Sequence, residues 1–272
     1  MQGTTRTDDV ATSDADLLAQ TAIAVRAAGS VLVERFGEVA HYQTREQLTH
    51  ALAANDDAAL TVLRPHLESL RPDARWVDDE LAGGALPSGE WWVVDPAEGN
   101  INHLHGLPDW AVTATLVREN QPVLTAVHVP LTGETYTALA GAGAHLDGQP
   151  LRVSGTASLG LGLVATSQAR PDEDERVVRR IGTSITAMLH DALVVRTSVP
   201  ATLHLVNVAA GRIEAFWQFA GARADLLPGA LLVAEAGGRV SDTAGRPWTP
   251  ASESFLAAAP SVHAEAVATL TR

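Results

Sequence analysis

The chain has 272 residues, 32 acidic against 19 basic, and a formal net charge of −13; every basic residue is Arg. Its apolar share of 46% supports a buried core and excludes global disorder, and its length fits one large domain or two closely packed halves. Such a surface repels nucleic acid and anionic membrane, so neither is expected as a partner, and an anionic substrate would need a local cation, either Arg or a metal. With no Cys, disulfides, thiolate catalysis and cysteine zinc sites are excluded, and a cytoplasmic setting is expected.

Residues 1–12 are polar and acidic and lack the basic start and apolar stretch of a signal peptide, so they read as a frayed tail. No apolar run is expected to reach the length of a membrane span. Ser13 caps a helix predicted to run to Gly37, from apolar residues at helical spacing. A second helix is predicted to begin near Asn55 and Asp56 and to bend at Pro65. Short strands follow at 75–77 and 91–94, the second stopping at Asp95. From 111 to 153 the alternation "AVTATLV", "VLTAVHV", "ETYTALA" and "PLRV", punctuated by "ENQP", "LTGE" and "LDGQP", predicts an antiparallel meander.

Beyond "SGTASLG" the pattern changes to alternating elements. Strands are predicted at "GLVATS", "ALVVR", "EAFW", "GRVSD" and 255–257, with helices at 173–188, near 201–210, after Asp225 and at the end. The boundary falls in the Gly/Ser-rich stretch at 154–162. It divides an α+β half (13–155), which carries the candidate metal-binding turn, from an α/β half (156–272).

The chemistry concentrates in "WWVVDPAEGNINHLHGLPDW", residues 91–110. Pro96 cannot extend a ladder and Gly99 permits a tight turn, so the Asp95 and Glu98 carboxylates and the Ala97 carbonyl can face one cation. An all-oxygen set of this kind suits a hard ion such as Mg²⁺. Past Gly99, the N–H groups of Asn100 and Ile101 would open a short helix and offer donors to a phosphate. The bland alternative is an acidic surface turn. Asp78, Asp79 and Glu80 end another short strand, or form a solvated charge run. Asp225 opens "LLPGALLVAEAGG", as a ligand or simply as a helix N-cap. His103 is either a polar group of the site or a satisfied core imidazole.

These segments resemble the inositol monophosphatase family. "WVVDPAEGNINHLHGLPDWAVT" is similar to its metal-binding signature, W-I/V-I/V-D-P-I/L-D-G-T-x-N-F-x-H, and "ADLLPGALLVAEAGG" to its second signature, W-D-x-A-A-G-x-L-I-V-x-E-A-G-G. "GAGAHLDGQPLRVSG" and "VAAGRIEAF" resemble further family segments. The likeness spans nearly the whole chain and implies an αβαβα sandwich. It implies Mg²⁺ ligation by Asp79, Asp95, the Ala97 carbonyl, Glu98 and Asp225, and water organised by Asp56. It also implies in-line attack of that water on the phosphomonoester of a small anionic metabolite.

The departures bear on chemistry. Asp79 stands where the family has Glu, Glu98 where it has Asp, and Asn100 where a Thr hydroxyl helps to activate water. The substrate side carries Gly99, Asn100, Ile101, Arg196 and Ala201, with Val199 and Pro200 in place of small residues and Gln218 where the family holds a polyol with Glu. Three readings follow: a phosphatase of altered specificity, a non-hydrolytic enzyme promoting internal displacement of a phosphate or sulfate ester with His103 as base, or a non-catalytic partner subunit. A homodimer is expected, with a hetero-oligomer as the alternative.

Overall fold

The computed structural model describes residues 13–37, 41–77, 84–168, 173–219 and 223–272. Helix α1 (Asp14–Arg35) starts where Ser13 accepts a hydrogen bond from the Asp16 amide, satisfying one orphan donor of the first turn. By length and composition α1 could cross a membrane, which corrects the expectation that no segment would. Its Leu17, Val25, Ala28 and Leu32 are fully buried against the first sheet, as in a core helix.

Helix α2 (Arg45–Leu70) begins ten residues before the predicted start. Thr44 caps it by accepting from the Gln47 amide, and the Gln47 side chain accepts from the Gln43 amide. This is a variant of the capping box, written in "TREQ". Asn55 and Asp56 therefore lie mid-helix, and the helix continues past Pro65 to Leu70.

Sheet 1 runs in sequence order: β1 (Arg75–Trp76), β2 (Glu90–Glu98), β3 (Ala111–Arg118), β4 (Gln121–Val129), β5 (Glu134–Leu139), β6 (Gly143–Leu146) and β7 (Gln149–Pro150). Among the described residues of this sheet, only the β1–β2 pair is parallel. Helix α3 (Asn100–Leu104) separates β2 from β3. Strand β2 does not stop at Asp95; it runs on to Glu98 through a shift in register against β3.

A 3-10 turn (Leu159–Leu161) leads into the second half. There β8 (Leu163–Thr166), α4 (Glu175–Asp191), β9 (Val194–Thr197), α5 (Ala201–Ala209), β10 (Ala215–Phe219), α6 (Arg223–Glu235), β11 (Arg239–Ser241), β12 (Ser254–Ala258) and α7 (Pro260–Leu270) follow. Sheet 2 has the order β11-β12-β10-β8-β9, parallel within β10-β8-β9 and antiparallel at β12.

The layers stack as α1/α2, sheet 1, α5/α6, sheet 2 and α4/α7, giving the expected αβαβα sandwich. The largest core cluster lies in the middle layer, where Val127, Tyr136, Leu205, Leu232 and Phe255 from both halves pack together. At its centre α5 and α6 approach so closely that a Cβ on Gly229 would stand 2.2 Å from Leu205, which requires Gly there. That approach sets α6 beside β2 and carries the second half's Asp225 to the end of the first sheet.

Candidate metal centre and catalytic site

The β2–β3 pairing passes from Asp95↔Thr113 to Glu98↔Ala111, so β2 spends one extra residue between the two carboxylates. This bulge re-aims the side chains of a strand that would otherwise alternate strictly. Within it Asp95 Oδ1 accepts from the Ala97 amide at 2.9 Å, and the Asp95 amide donates to Thr113 Oγ1 at 3.3 Å. Ala97 is buried between the two acids, and Glu98 is only 2% exposed.

Gly99 follows with φ of 81° and caps α3. A Cβ there would stand 2.7 Å from the Asp109 carbonyl oxygen and 3.0 Å from the Pro200 ring, so the chain needs Gly for both conformation and space. Asn102 clamps the same place, its Nδ2 donating to the Asp109 and Val199 carbonyls, each at 2.8 Å. The segment leading into α5 is thereby held beside the β2–α3 junction. From α5, Thr202 Oγ1 donates to the Asp225 carbonyl, tying the first turns of α5 and α6 together. Asp225 sits within the first turn of α6, not at its cap as the sequence suggested.

These ties bring oxygens of Asp95, Glu98 and Asp225 within 4.8 Å of one another. At that spacing each pair of ionised carboxylates repels by about 3 kcal/mol at an effective dielectric of about 20. A cation relieves that repulsion, and three hard oxygen donors fit Mg²⁺ or a similar divalent ion. Asp79, expected as a further ligand and catalytic group, lies outside the described residues together with Asp78 and Glu80.

Beside α3, Asn100 Nδ2 donates to Asp56 Oδ1 at 2.8 Å and to the Leu52 carbonyl at 3.0 Å. Burial pushes the Asp56 carboxyl up to about 6; the Asn100 hydrogen bond opposes this and neighbouring Asp57 adds to it. His103 is 3% exposed, and both ring nitrogens are engaged, Nε2 with the Leu32 carbonyl at 2.8 Å and Nδ1 with Asn55 Nδ2 at 3.0 Å. Burial also lowers its proton affinity. Its geometry is that of a satisfied core imidazole, with neither nitrogen offered to a ligand.

Of the expected substrate residues, Gly99, Asn100 and Ile101 form the β2–α3 junction, and buried Ala201 opens α5 next to Pro200. Gln218 is buried on β10, on the Phe216 side that faces the middle layer. Its Oε1 has no hydrogen-bond partner among the described residues. Arg196 lies exposed on the edge strand β9, two strands from β10. Sequence reasoning missed Asn55, Asn102, Thr113 and Thr202. Asn55 was hidden by the misplaced α2 start, and the others are ordinary polar residues whose partners are distant in sequence.

A model of the inositol monophosphatase family matches residues 14–272. Inositol monophosphatase 2 of Solanum lycopersicum is 31% identical over 228 residues, covering 82% of this chain and 85% of that protein. The Nus factor SuhB of Xylella fastidiosa is 33% identical over 227 residues, covering 82% and 80%. Among solved structures, the Thermotoga maritima IMPase superposes with a TM-score of 0.81 at 27% identity, covering 94% of this chain and 97% of that one.

Proposed function

Since the chain belongs to the inositol monophosphatase family, we propose that it hydrolyses the phosphomonoester of a small phosphorylated metabolite, with specificity altered from inositol phosphate. The observation that carries this reading is the convergence of Asp95, Glu98 and Asp225, from two distant segments, to within 4.8 Å. Asp95, Glu98 and Asp225 hold the divalent ion, with the Ala97 carbonyl and Asp79 as further ligands. When bound, Mg²⁺ supplies charge stabilisation to phosphoryl oxygens and to the departing alkoxide.

The chain's own residues do the rest. Asp56 takes the proton from the attacking water as the phosphorus–oxygen ester bond breaks, and the departing oxygen takes a proton from solvent to leave as the alcohol; a carboxyl near 6 is ionised yet basic enough for this at neutral pH. Asn100 holds that carboxylate in place through its amide. Gly99, Asn100 and Ile101 present backbone donors to the phosphate, and Arg196 lends the positive charge that a strongly acidic protein needs to attract an anion. The buried acceptor of Gln218 selects a hydroxyl or N–H on the alcohol portion of the substrate, without the negative charge of a carboxylate. The displacement reading loses its base, because His103 has no nitrogen to offer.

The reading includes a cytoplasmic setting and a homodimer, which sedimentation tests. The enzymatic test is phosphate release from a panel of sugar, polyol and nucleoside monophosphates with Mg²⁺, repeated in ¹⁸O-labelled water. Label in the released phosphate, with activity abolished in Asp95→Asn, is expected. Release of a cyclised product without label, or no release from any ester, overturns the reading.

A further inference from the structure

Behind Asn100 and Asp56 lie two buried polar side chains, Asn55 and His103, that hydrolysis as described above does not use. The run they form begins at the last turn of α1. The Phe36 amide donates to the Val33 carbonyl, so the Leu32 carbonyl is one of the helix-end acceptors that need a partner from elsewhere. His103 Nε2 supplies it at 2.8 Å. Next, His103 Nδ1 meets Asn55 Nδ2 at 3.0 Å, and the same Nδ2 reaches Asn100 Oδ1 at 2.9 Å. Asn100 Nδ2 then reaches Asp56 Oδ1 and the Leu52 carbonyl. Asn55 Oδ1 accepts from Arg35 Nε at 2.9 Å.

We propose that Asn55 and His103 are positioning residues for Asp56, acting through Asn100 to make its amide a fixed hydrogen-bond donor to that carboxylate. The assignment of Asp56 as the proton acceptor rests on the hydrolytic reading; the direction of the hydrogen bonds does not.

The direction follows from donor and acceptor chemistry alone. A backbone carbonyl only accepts, so His103 Nε2 carries the proton, and the neutral ring presents Nδ1 as an acceptor. Asn55 must answer with its NH₂ group, which orients its amide. Arg35 only donates and meets the oxygen of Asn55, so it enforces the same orientation from the opposite side. One Asn55 proton is spent on His103 and the other falls on Asn100, which must therefore present its oxygen. Both protons of Asn100 then point away, one to the Leu52 carbonyl and one to Asp56. Reversing either amide would set acceptor against acceptor at one end and donor against donor at the other.

The surroundings hold the run in this state. His103 stands edge-on to Trp110 and Phe36, with ring centroids 4.8 and 5.4 Å away, so two aromatic rings pack against it. The charge that acts on it is that of Arg35 from α1; burial and Arg35 both favour the neutral ring. Asn55 is 2% exposed, so water does not compete for its amide. At the working end, Asp56 Oδ1 accepts from Asn100 Nδ2 at 2.8 Å.

The test is a ¹³C-NMR titration of the Asp56 carboxyl in EDTA, in the parent, in Asn55→Ala and in His103→Phe, which keeps an aromatic ring between Phe36 and Trp110. Thr61→Ala, which removes an α2 hydroxyl bonded only to its own helix, serves as the control. Loss of the oriented donor is expected to move the Asp56 midpoint upward by roughly half a pH unit or more, further in Asn55→Ala than in His103→Phe. Thr61→Ala should titrate like the parent. With 4-nitrophenyl phosphate and Mg²⁺, the acid limb of kcat should shift the same way while KM holds. An Asp56 midpoint that is the same in parent, Asn55→Ala and His103→Phe overturns the proposal. Absence of turnover in the parent overturns the hydrolytic reading instead and leaves the titration to decide the positioning role.

Discussion

Thr202 Oγ1 donates to the carbonyl of Asp225 at 2.8 Å, joining the first turn of α5 to the first turn of α6. Thr202 is fully buried, so water cannot replace the bond. The contact fixes the backbone from which the Asp225 carboxylate projects toward Asp95 and Glu98. Thr202→Val, which keeps the shape and deletes the donor, should cost about 1–2 kcal/mol of stability. It should also weaken Mg²⁺ binding several-fold, whereas Thr202→Ser should restore both. Calorimetric titration of the three proteins with Mg²⁺ checks this; equal affinities would mean that Asp225 is positioned without Thr202.

Three carboxylates within 4.8 Å repel one another, and a bound cation would relieve that repulsion. Asp95→Asn retains an oxygen for the Ala97 amide, so the bulge keeps its internal hydrogen bond. In EDTA this variant should melt higher than the parent, by the equivalent of about 1–3 kcal/mol. In excess Mg²⁺ the order should reverse, because the parent gains binding energy that the variant cannot. The measurement is a pair of melting curves for each protein, and the reversal of sign is the diagnostic result. A variant that gains as much from Mg²⁺ as the parent would remove Asp95 from the ligand set.

The elements that position this site were unequally legible in the sequence. Strands β3 to β5 announced themselves through alternation, and α1 through its cap and period, because those signals are local. The start of α2 was equally local, in "TREQ", but the Asn55–Asp56 pair imitated a second cap. Since Asn and Asp favour caps over helix interiors, finding them mid-helix signals that tertiary bonds hold them there. The bulge at Asp95–Glu98 could not be read from the strand pattern, because Pro96 looks like a stop whether the strand ends or kinks. Where Asp95 and Asp225 meet depends on the Gly229–Leu205 approach, a property of packing between two helices. His103 was legible as polar but not as satisfied; its partners lie 48 and 71 residues away.

Asp56 should oppose folding at neutral pH. Its carboxyl is held near 6 in the folded protein, chiefly by burial, against about 3.9 in the unfolded chain. Below about pH 4 both states are protonated and nothing is lost. As pH rises toward 6 the unfolded chain ionises first, so stability falls, and above 6 the full cost is present. Asp56→Asn keeps an acceptor for Asn100, and in EDTA at pH 8 should stabilise by about 1–2 kcal/mol after allowing for partial solvent access. At pH 4 the gain should vanish. The buried His103, His128, His204 and His263 act in the opposite sense: burial lowers each, so their contribution is intact above about 6.5 and lost as pH falls below it. Comparing variant and parent at each pH cancels that common background. A constant difference from pH 4 to 8 would refute the assignment.

Gly99 and Gly245 adopt nearly the same left-handed backbone, with φ of 81° and 79°, but differ in what surrounds them. A Cβ on Gly245 would meet only Val267 at 3.5 Å, an ordinary contact, so Gly245→Ala measures the conformational cost alone, about 1 kcal/mol. A Cβ on Gly99 would also strike the Asp109 carbonyl at 2.7 Å and the Pro200 ring at 3.0 Å. The carbonyl is backbone and the ring is stiff, so neither yields as a flexible side chain would. The segment clamped by Asn102 must move away from the β2–α3 junction, which separates Ala201 and the α5 entry from Asn100. Gly99→Ala should therefore lose about 2–4 kcal/mol, well beyond Gly245→Ala. It should also raise KM for any phosphomonoester the parent turns over, while Gly245→Ala leaves KM unchanged. Denaturant melts and steady-state kinetics on both variants check this, and equal losses in the two would show that the Pro200 segment is free to retreat.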